Sequence, residues 1–105
     1  MRHDIVLAPS AVRELRALPA HLRAQVQDAL QRHLRHEPAK VSRSRINRLR
    51  GLEQPQYRLR VGDVRVFYEV AADRVEVLAV VSKAQADAWL QQEGRADEEG
   101  GAGEG

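Results

Sequence analysis

The sequence predicts an α+β domain, with a helical hairpin first, a sheet after it and a short helix to close. Three observations carry this. Leu22, Val26, Leu30 and Leu34 recur every four residues, which is one stripe of a helix. Val61-Gly62-Asp63-Val64 sets two turn formers between apolar flanks, with Gly first, as a type II′ β-hairpin requires. Ser82 and Gln85 have the spacing of a capping box at the start of a last helix.

Each element has its own signal. Ile5, Val6 and Leu7 form an apolar run before Pro9 and read as a first strand, about residues 3–8. Pro9 and Ser10 open a helix, in which Val12, Leu15 and Leu18 follow at helical spacing. Pro19 stops that helix and starts the next, which Pro38 ends. With almost no loop between them, the helices of about 9–18 and 19–36 form an antiparallel hairpin. Residues 39–55 read as irregular and basic, with Ile46, Leu49 and Leu52 at the spacing of a short helical turn, and Gly51 and Pro55 marking turns. Strand patterning begins at Tyr57 and predicts strands over about 56–61, 64–70 and 75–81, with a turn near Ala72-Asp73. The last helix runs through Leu90 and stops at Gly94. Residues 94–105 are rich in Gly and Glu and are predicted to be a disordered tail, which leaves 1–93 as the folded domain.

Composition narrows the function classes. The chain has 105 residues, enough for one domain, and its 43% hydrophobic content supports one modest core. Tyr57, Phe67, Tyr68 and Trp89 are its only aromatics, so that core is mostly Val, Leu and Ala. No apolar run is long enough to cross a membrane, and Met1-Arg2-His3-Asp4 lacks the apolar stretch of a secretory signal. There is no cysteine, hence no disulfide framework and no thiolate metal site. These features predict a cytoplasmic protein with no metal and no cofactor. The formal charge of +2 conceals an asymmetry, because residues 95–105 hold one Arg and four acids. The rest of the chain holds 16 basic and 11 acidic residues, a net +5, and eight of those bases fall between positions 40 and 65. Such clustering is either a solvated surface or the footprint of a polyanion binder.

The hairpin decides more. With Gly62-Asp63 as the loop, Arg60 faces Arg65, Arg58 faces Phe67 and Tyr57 faces Tyr68. One sheet face then carries Tyr57, Leu59, Val61, Val64, Val66, Tyr68 and Val70, and must pack on the helices. The other carries Arg58, Arg60, Arg65, Phe67 and Glu69, and is expected to be exposed. Two guanidiniums directly across a strand pair cost a few tenths to ~1 kcal/mol. An anion is their natural partner, and RNA phosphate is the leading candidate. Neutralisation by Glu69 and loop acids is the alternative.

The segment Tyr57-Arg58-Leu59-Arg60-Val61-Gly62-Asp63-Val64-Arg65-Val66-Phe67-Tyr68-Glu69-Val70 resembles the hallmark hairpin of the RelE/ParE toxin superfamily. The upstream Leu49-Arg50-Gly51 turn and the downstream Val81-Ser82-Lys83 are also similar to that family, and the likeness spans about residues 2–92. It implies a helical hairpin packed on a curved, mainly antiparallel four-stranded sheet, and a toxin neutralised by a cognate antitoxin. For a RelE-like toxin it implies an enzyme that cuts messenger RNA on the ribosome without a metal, the 2′-hydroxyl attacking the neighbouring phosphate. Arg58, Arg60 and Arg65 match the family's basic residues on the hairpin, where they would stabilise transition-state charge. Lys40, Arg43, Arg45, Arg48 and Arg50 are then candidates for further RNA contacts.

The C-terminal part departs from the RelE pattern. There the family carries a Tyr or His for proton transfer and a further Arg, whereas residues 83–91 read Lys83-Ala84-Gln85-Ala86-Asp87-Ala88-Trp89-Leu90-Gln91. Lys83 is the one cation there, and Trp89 reads as core. Glu69 shares the Arg face and is either a substitute base or the partner of an Arg. His33 and His36 stand three apart on a helix, but no third ligand is evident, so they read as surface histidines. Three functions follow. The first is an RNA-cleaving toxin. The second is a ParE-like toxin that blocks DNA gyrase by binding. The third is a binding module that has kept the fold without the chemistry.

Overall fold

The structure, a computed structural model, describes residues 2–96. Strand β1 (Asp4–Leu7) leads into α1 (Pro9–Ala17) and α2 (Ala20–Ala29), and α2 continues as a π-helical segment, Leu30–Leu34. Short strands β2 (Ile46–Arg48) and β3 (Leu52–Gln54) precede the hairpin of β4 (Tyr57–Val61) and β5 (Val64–Val70). Strand β6 (Arg74–Ser82), helix α3 (Lys83–Glu93) and strand β7 (Arg95–Ala96) complete the chain. The helical hairpin, the β-hairpin and the last helix thus stand where the sequence places them.

The main sheet has five strands, in the order β1-β6-β5-β4-β2, rather than four. All its pairings are antiparallel except β1 with β6. The fifth strand is the stretch around Ile46, for which a helical turn was expected. Ile46 pairs with Leu59 and is buried, so it joins the apolar side of the sheet. Leu52 lies in β3, which pairs with β7 in a separate two-stranded ribbon. That ribbon also corrects the expectation of disorder from residue 94, since Arg95 and Ala96 form a strand and Arg95 pairs with Glu53 at 2.7 Å. Residues 97–105, the rest of the expected tail, lie outside the described residues.

Local chemistry explains the junctions. Gly62 has φ of +57° and Asp63 does not take positive φ, the sign pattern of a type II′ turn. The Ser82 side chain accepts the Gln85 backbone N–H at 3.2 Å, which caps α3. Gly94 ends α3 for a reason of space, because a Cβ there would stand 2.5 Å from the Leu90 carbonyl oxygen.

The core lies between the helical hairpin and one face of the sheet. Val26, Leu30 and Leu34 from the second helix meet Leu59, Val64, Val66, Tyr68, Val75 and Val77 from the sheet. Tyr57, Val61 and Val70 pack at its margin, so every residue assigned to this face from the hairpin register is there. Tyr68 is fully buried and donates to the Pro38 carbonyl at 2.6 Å, tying the sheet to the end of the helical hairpin. A second, smaller cluster forms on the other face, where Phe67, Ala79 and Val81 meet Ala86 and Trp89 of α3. The described residues hold no helix long and apolar enough to cross a membrane.

Tyr68→Phe keeps the ring but leaves the Pro38 carbonyl without its donor. Urea unfolding should show a loss of about 1–2 kcal/mol with an unchanged m value. An unchanged midpoint would show that water replaces the hydroxyl.

Candidate functional site

The turn fixes the pairing, and the pairing assembles the cations. Arg60 is directly opposite Arg65, and Arg58 is opposite Phe67, as read from the sequence. The three guanidiniums are close enough to affect one another. Burial first, then Arg60 and Arg58, push the Arg65 guanidinium below its ordinary pKa, with Asp63 opposing. Among the described residues the ion pairs are Arg32–Asp28, Lys40–Glu37 and Arg95–Glu53. None of these pairs joins an acid to Arg58, Arg60 or Arg65.

Their settings differ, however, and the face is not open along its length. Helix α3 covers the β5–β6 half of it. The Phe67 and Trp89 rings stack with centroids 4.8 Å apart and planes 4° apart. Arg65 sits opposite Val81 at the entrance to α3 and is only 7% exposed. Its Nη1 donates to the Gly62 carbonyl at 2.7 Å and to its neighbour's, Val64, at 3.2 Å. Arg65 thus braces the turn, which corrects the expectation of a freely exposed side chain. Arg60 is exposed, and Arg58 is half-buried with its Nε unpaired. The outward-facing charge of the cluster belongs to Arg58 and Arg60, with Arg65 beneath them.

Glu69 is at the far end of the same face. Its carboxylate accepts the Gln56 backbone N–H at 2.7 Å, and no Arg pairs with it among the described residues. Burial raises its pKa, and Glu76, directly across the strand pair, adds to this, while the Gln56 hydrogen bond, Arg48 and Arg95 oppose it. Phe67 lies between Glu69 and Arg65 along the strand, so Glu69 is a poor companion for the Arg cluster. Lys83 is exposed at the first turn of α3, and its backbone N–H donates to the Asp63 carbonyl at 2.7 Å. That bond holds the start of α3 against the hairpin turn and brings Lys83 to the Arg end of the face.

The basic stretch divides. Arg48 is committed to structure, with its guanidinium 5.1 Å from the centre of the Tyr57 ring and donating to the Gln56 carbonyl at 2.8 Å. Lys40 pairs loosely with Glu37 at 3.8 Å on the surface. Arg43, Arg45 and Arg50 are exposed. The Arg45 carbonyl accepts the Arg60 backbone N–H at 2.8 Å, so Arg45 adjoins the cluster. His33, read from the sequence as a surface histidine, is instead half-buried between Arg32 and Arg45. Desolvation first, then these two cations, push its pKa below the ordinary value, against Asp28. Its place four residues after Ala29, a core position, was the available signal.

Comparison with known proteins agrees with this architecture. Residues 5–87 match the family model described as the ParE toxin of the type II toxin–antitoxin system parDE. No curated protein matches the chain in sequence. Among solved structures, the archaeal RelE–RelB complex from Pyrococcus horikoshii OT3 is similar at a TM-score of 0.65 and 23% identity, covering 81% of this chain and 99% of that one. A mutant of Escherichia coli toxin RelE in the free state is similar at a TM-score of 0.64 and 22% identity, covering 85% and 92%. The RelBE2 toxin–antitoxin complex from Mycobacterium tuberculosis is similar at 0.62 and 24%, covering 78% and 99%.

Two predictions follow from the geometry. Arg65→Ala removes a buried brace and should cost about 1–2 kcal/mol, whereas Arg60→Ala should change stability by less than about 0.5 kcal/mol or raise it slightly. Equal effects of the two in chemical unfolding would refute the division. Glu69 has a raised pKa in the fold, so its contribution is most favourable at acid pH and is lost as pH climbs through the folded value. Glu69→Gln should therefore flatten stability against pH above the ordinary carboxylate range, while its amide oxygen still accepts from Gln56. A parent and variant that lose stability in parallel over that range would refute this role.

Proposed function

Since the chain belongs to the RelE/ParE superfamily and is a toxin of the type II toxin–antitoxin class, we propose that it is a RelE-like toxin that binds messenger RNA on the ribosome and cleaves it. The observation that supports this is the Arg58, Arg60 and Arg65 cluster, set at one end of a sheet face with no ion pair to an acid among the described residues. Holding like charges together costs free energy in the empty protein, and a phosphate relieves it. The same donors are suited to the charge that builds on a phosphorane-like transition state. The proposed chemistry, attack of a 2′-hydroxyl on the neighbouring phosphate, needs no metal. Lys83, at the Arg end of the face, would add a further positive charge. We place its action in the cytoplasm, where ribosomes are.

The partner is a cognate antitoxin. The Pyrococcus and Mycobacterium structures are complexes of a toxin with its antitoxin. For this chain an antitoxin segment would lay acids over Arg58, Arg60 and the exposed Arg43 and Arg50, neutralising the surface that RNA would use.

A second reading has its own support. The matching family model is that of the ParE toxin, and residues 83–91 carry no Tyr or His for proton transfer. A ParE-like inhibitor of DNA gyrase needs binding alone.

In vitro translation with mapping of messenger RNA ends separates the two. The RelE-like reading expects new 5′ ends at ribosome-bound positions, and Arg58→Ala combined with Arg60→Ala should slow their appearance roughly a hundredfold or more. Intact messenger RNA together with inhibited gyrase supercoiling would overturn it in favour of the second reading.

A further inference from the structure

A second concentration of positive charge lies where the second helix meets the hairpin turn, and of the sheet-face cluster it shares Arg60. Two contiguous clefts of about 250 Å³ each open there, and both are lined by Arg32, His33 and Arg45. The first extends along the loop to His36 and Lys40. The second extends to Arg60 and Gly62. The cations come from separate elements that the fold brings together, with Arg32 and His33 on the π-helical segment, Arg45 before β2 and Arg60 on β4. Two acids line the clefts, and each is already engaged on the surface, Asp28 with Arg32 at 3.3 Å and Glu37 with Lys40 at 3.8 Å. Exposed pairs of this kind are weak and exchange readily for a better anion.

We propose that this paired cleft is a phosphate-binding site that takes a backbone phosphodiester of single-stranded RNA through Arg32, Arg45, Arg60 and His33. It rests on the RNA reading above and adds a second contact point to it. Donors converging from three elements suit a tetrahedral group, which presents oxygens in several directions, better than a planar carboxylate, which presents two. Arg60 belongs to both the cleft and the sheet-face cluster. A strand lying on Arg58 and Arg60 can therefore continue into the cleft without leaving positive potential.

His33 makes the site responsive to pH. Arg32 and Asp28 face it from its own helix and Arg45 from the loop. His36, Lys40 and Glu37 share the first cleft with it, and Arg60 the second. Desolvation first, then the cations Arg45 and Arg32, lower the imidazole pKa while the cleft is empty. A phosphodiester reverses the balance, so His33 takes up a proton as the anion arrives, and affinity rises as pH falls.

The test titrates the intact chain with a short 2′-O-methyl oligouridylate, which cannot be cleaved and has no titrating phosphate in this range. The His33 ring is followed by NMR at about pH 7.5 and about pH 5.5. Affinity should be roughly tenfold higher at the lower pH, corresponding to about one unit of His33 shift on binding. His33→Gln should remove that gain, and Arg45→Ala should weaken binding at both pH values. All these side chains are at least partly exposed, so the variants should fold. Tight binding that neither variant changes, with His33 unmoved, would overturn the cleft and leave the RNA reading standing. Failure of the oligouridylate to bind at either pH would overturn both. A hexaglutamate peptide that shifts His33 where the oligouridylate does not would overturn the proposal by assigning the cleft to an acidic protein segment.

Discussion

Gly62 takes φ of +57°, a conformation that costs Gly little and other residues much, and the β-hairpin register depends on it. A two-residue turn leaves no slack, so Val61 must face Val64 and every later pair follows. A slip of one residue would carry Leu59, Val66 and Tyr68 out of the core and put Arg58 and Arg65 into it. The apolar face and the cationic face are thus two consequences of one backbone choice. The Arg65 side chain returns to the Gly62 carbonyl at 2.7 Å, so the site reinforces the turn that creates it.

Helix α3 supplies the other half of the arrangement. A sheet face carrying both Phe67 and three guanidiniums cannot be wholly buried or wholly wet. The fold divides it, with Phe67 stacked under Trp89 and the exposed Arg60 at the turn end. Ser82 caps α3, and the Lys83 N–H donates to the Asp63 carbonyl, so the helix start is tied to the turn directly. Arg65, at the boundary, has the apolar packing of one half and the electrostatic neighbours of the other. Its lowered pKa records this position, since burial and like charge both disfavour the ion, yet guanidinium is too basic to give up its proton. Among the described residues the cluster therefore holds its charge without an ion-pair partner.

How much of this is legible in the sequence depends on the length of each signal. The helical stripe from Leu22 to Leu34 spans several turns, and the hairpin has apolar alternation over both strands, so Val26, Leu30 and Leu34 and the hairpin's apolar face are read correctly with their partners, while Leu22 is only half-buried. Strands of three residues offer no such run. Ile46, Leu49 and Leu52 have helical spacing, yet Ile46 is held by Leu59 across the sheet, a contact that only the tertiary fold supplies. The β3–β7 ribbon likewise depends on residues more than 40 positions apart, Glu53 and Arg95 among them. The site is legible as a register and less so as an environment. Alternation puts Arg65 on the correct face, but it cannot show that α3 returns to cover that face, because the apolar signal of α3 is divided between Ala86, Trp89 and Leu90. The setting of His33 is hidden for a similar reason, since its cationic neighbour Arg45 comes from a distant loop.

The charges on the α3-facing side of the sheet are also segregated along the strands. Arg60 and Arg65 face each other near the turn, while Glu69 and Glu76 face each other at the opposite end. Two like-charged cross-strand pairs are each unfavourable, and exchanging one Arg with one Glu would replace both with attractive pairs. The sequence instead keeps the signs apart, with Phe67 and its Trp89 stack between them. The Glu end cannot quench the Arg end across that apolar spacer, and the Glu69 carboxylate is held by the Gln56 N–H instead. A polyanion approaching this face meets attraction at the turn and repulsion at the far end. Its path is then biased toward the turn and the adjoining Arg45, the side from which the second helix contributes Arg32 and His33. Stability alone does not explain such a distribution, whereas the proposed binding of an anion that arrives at one end and in one direction would.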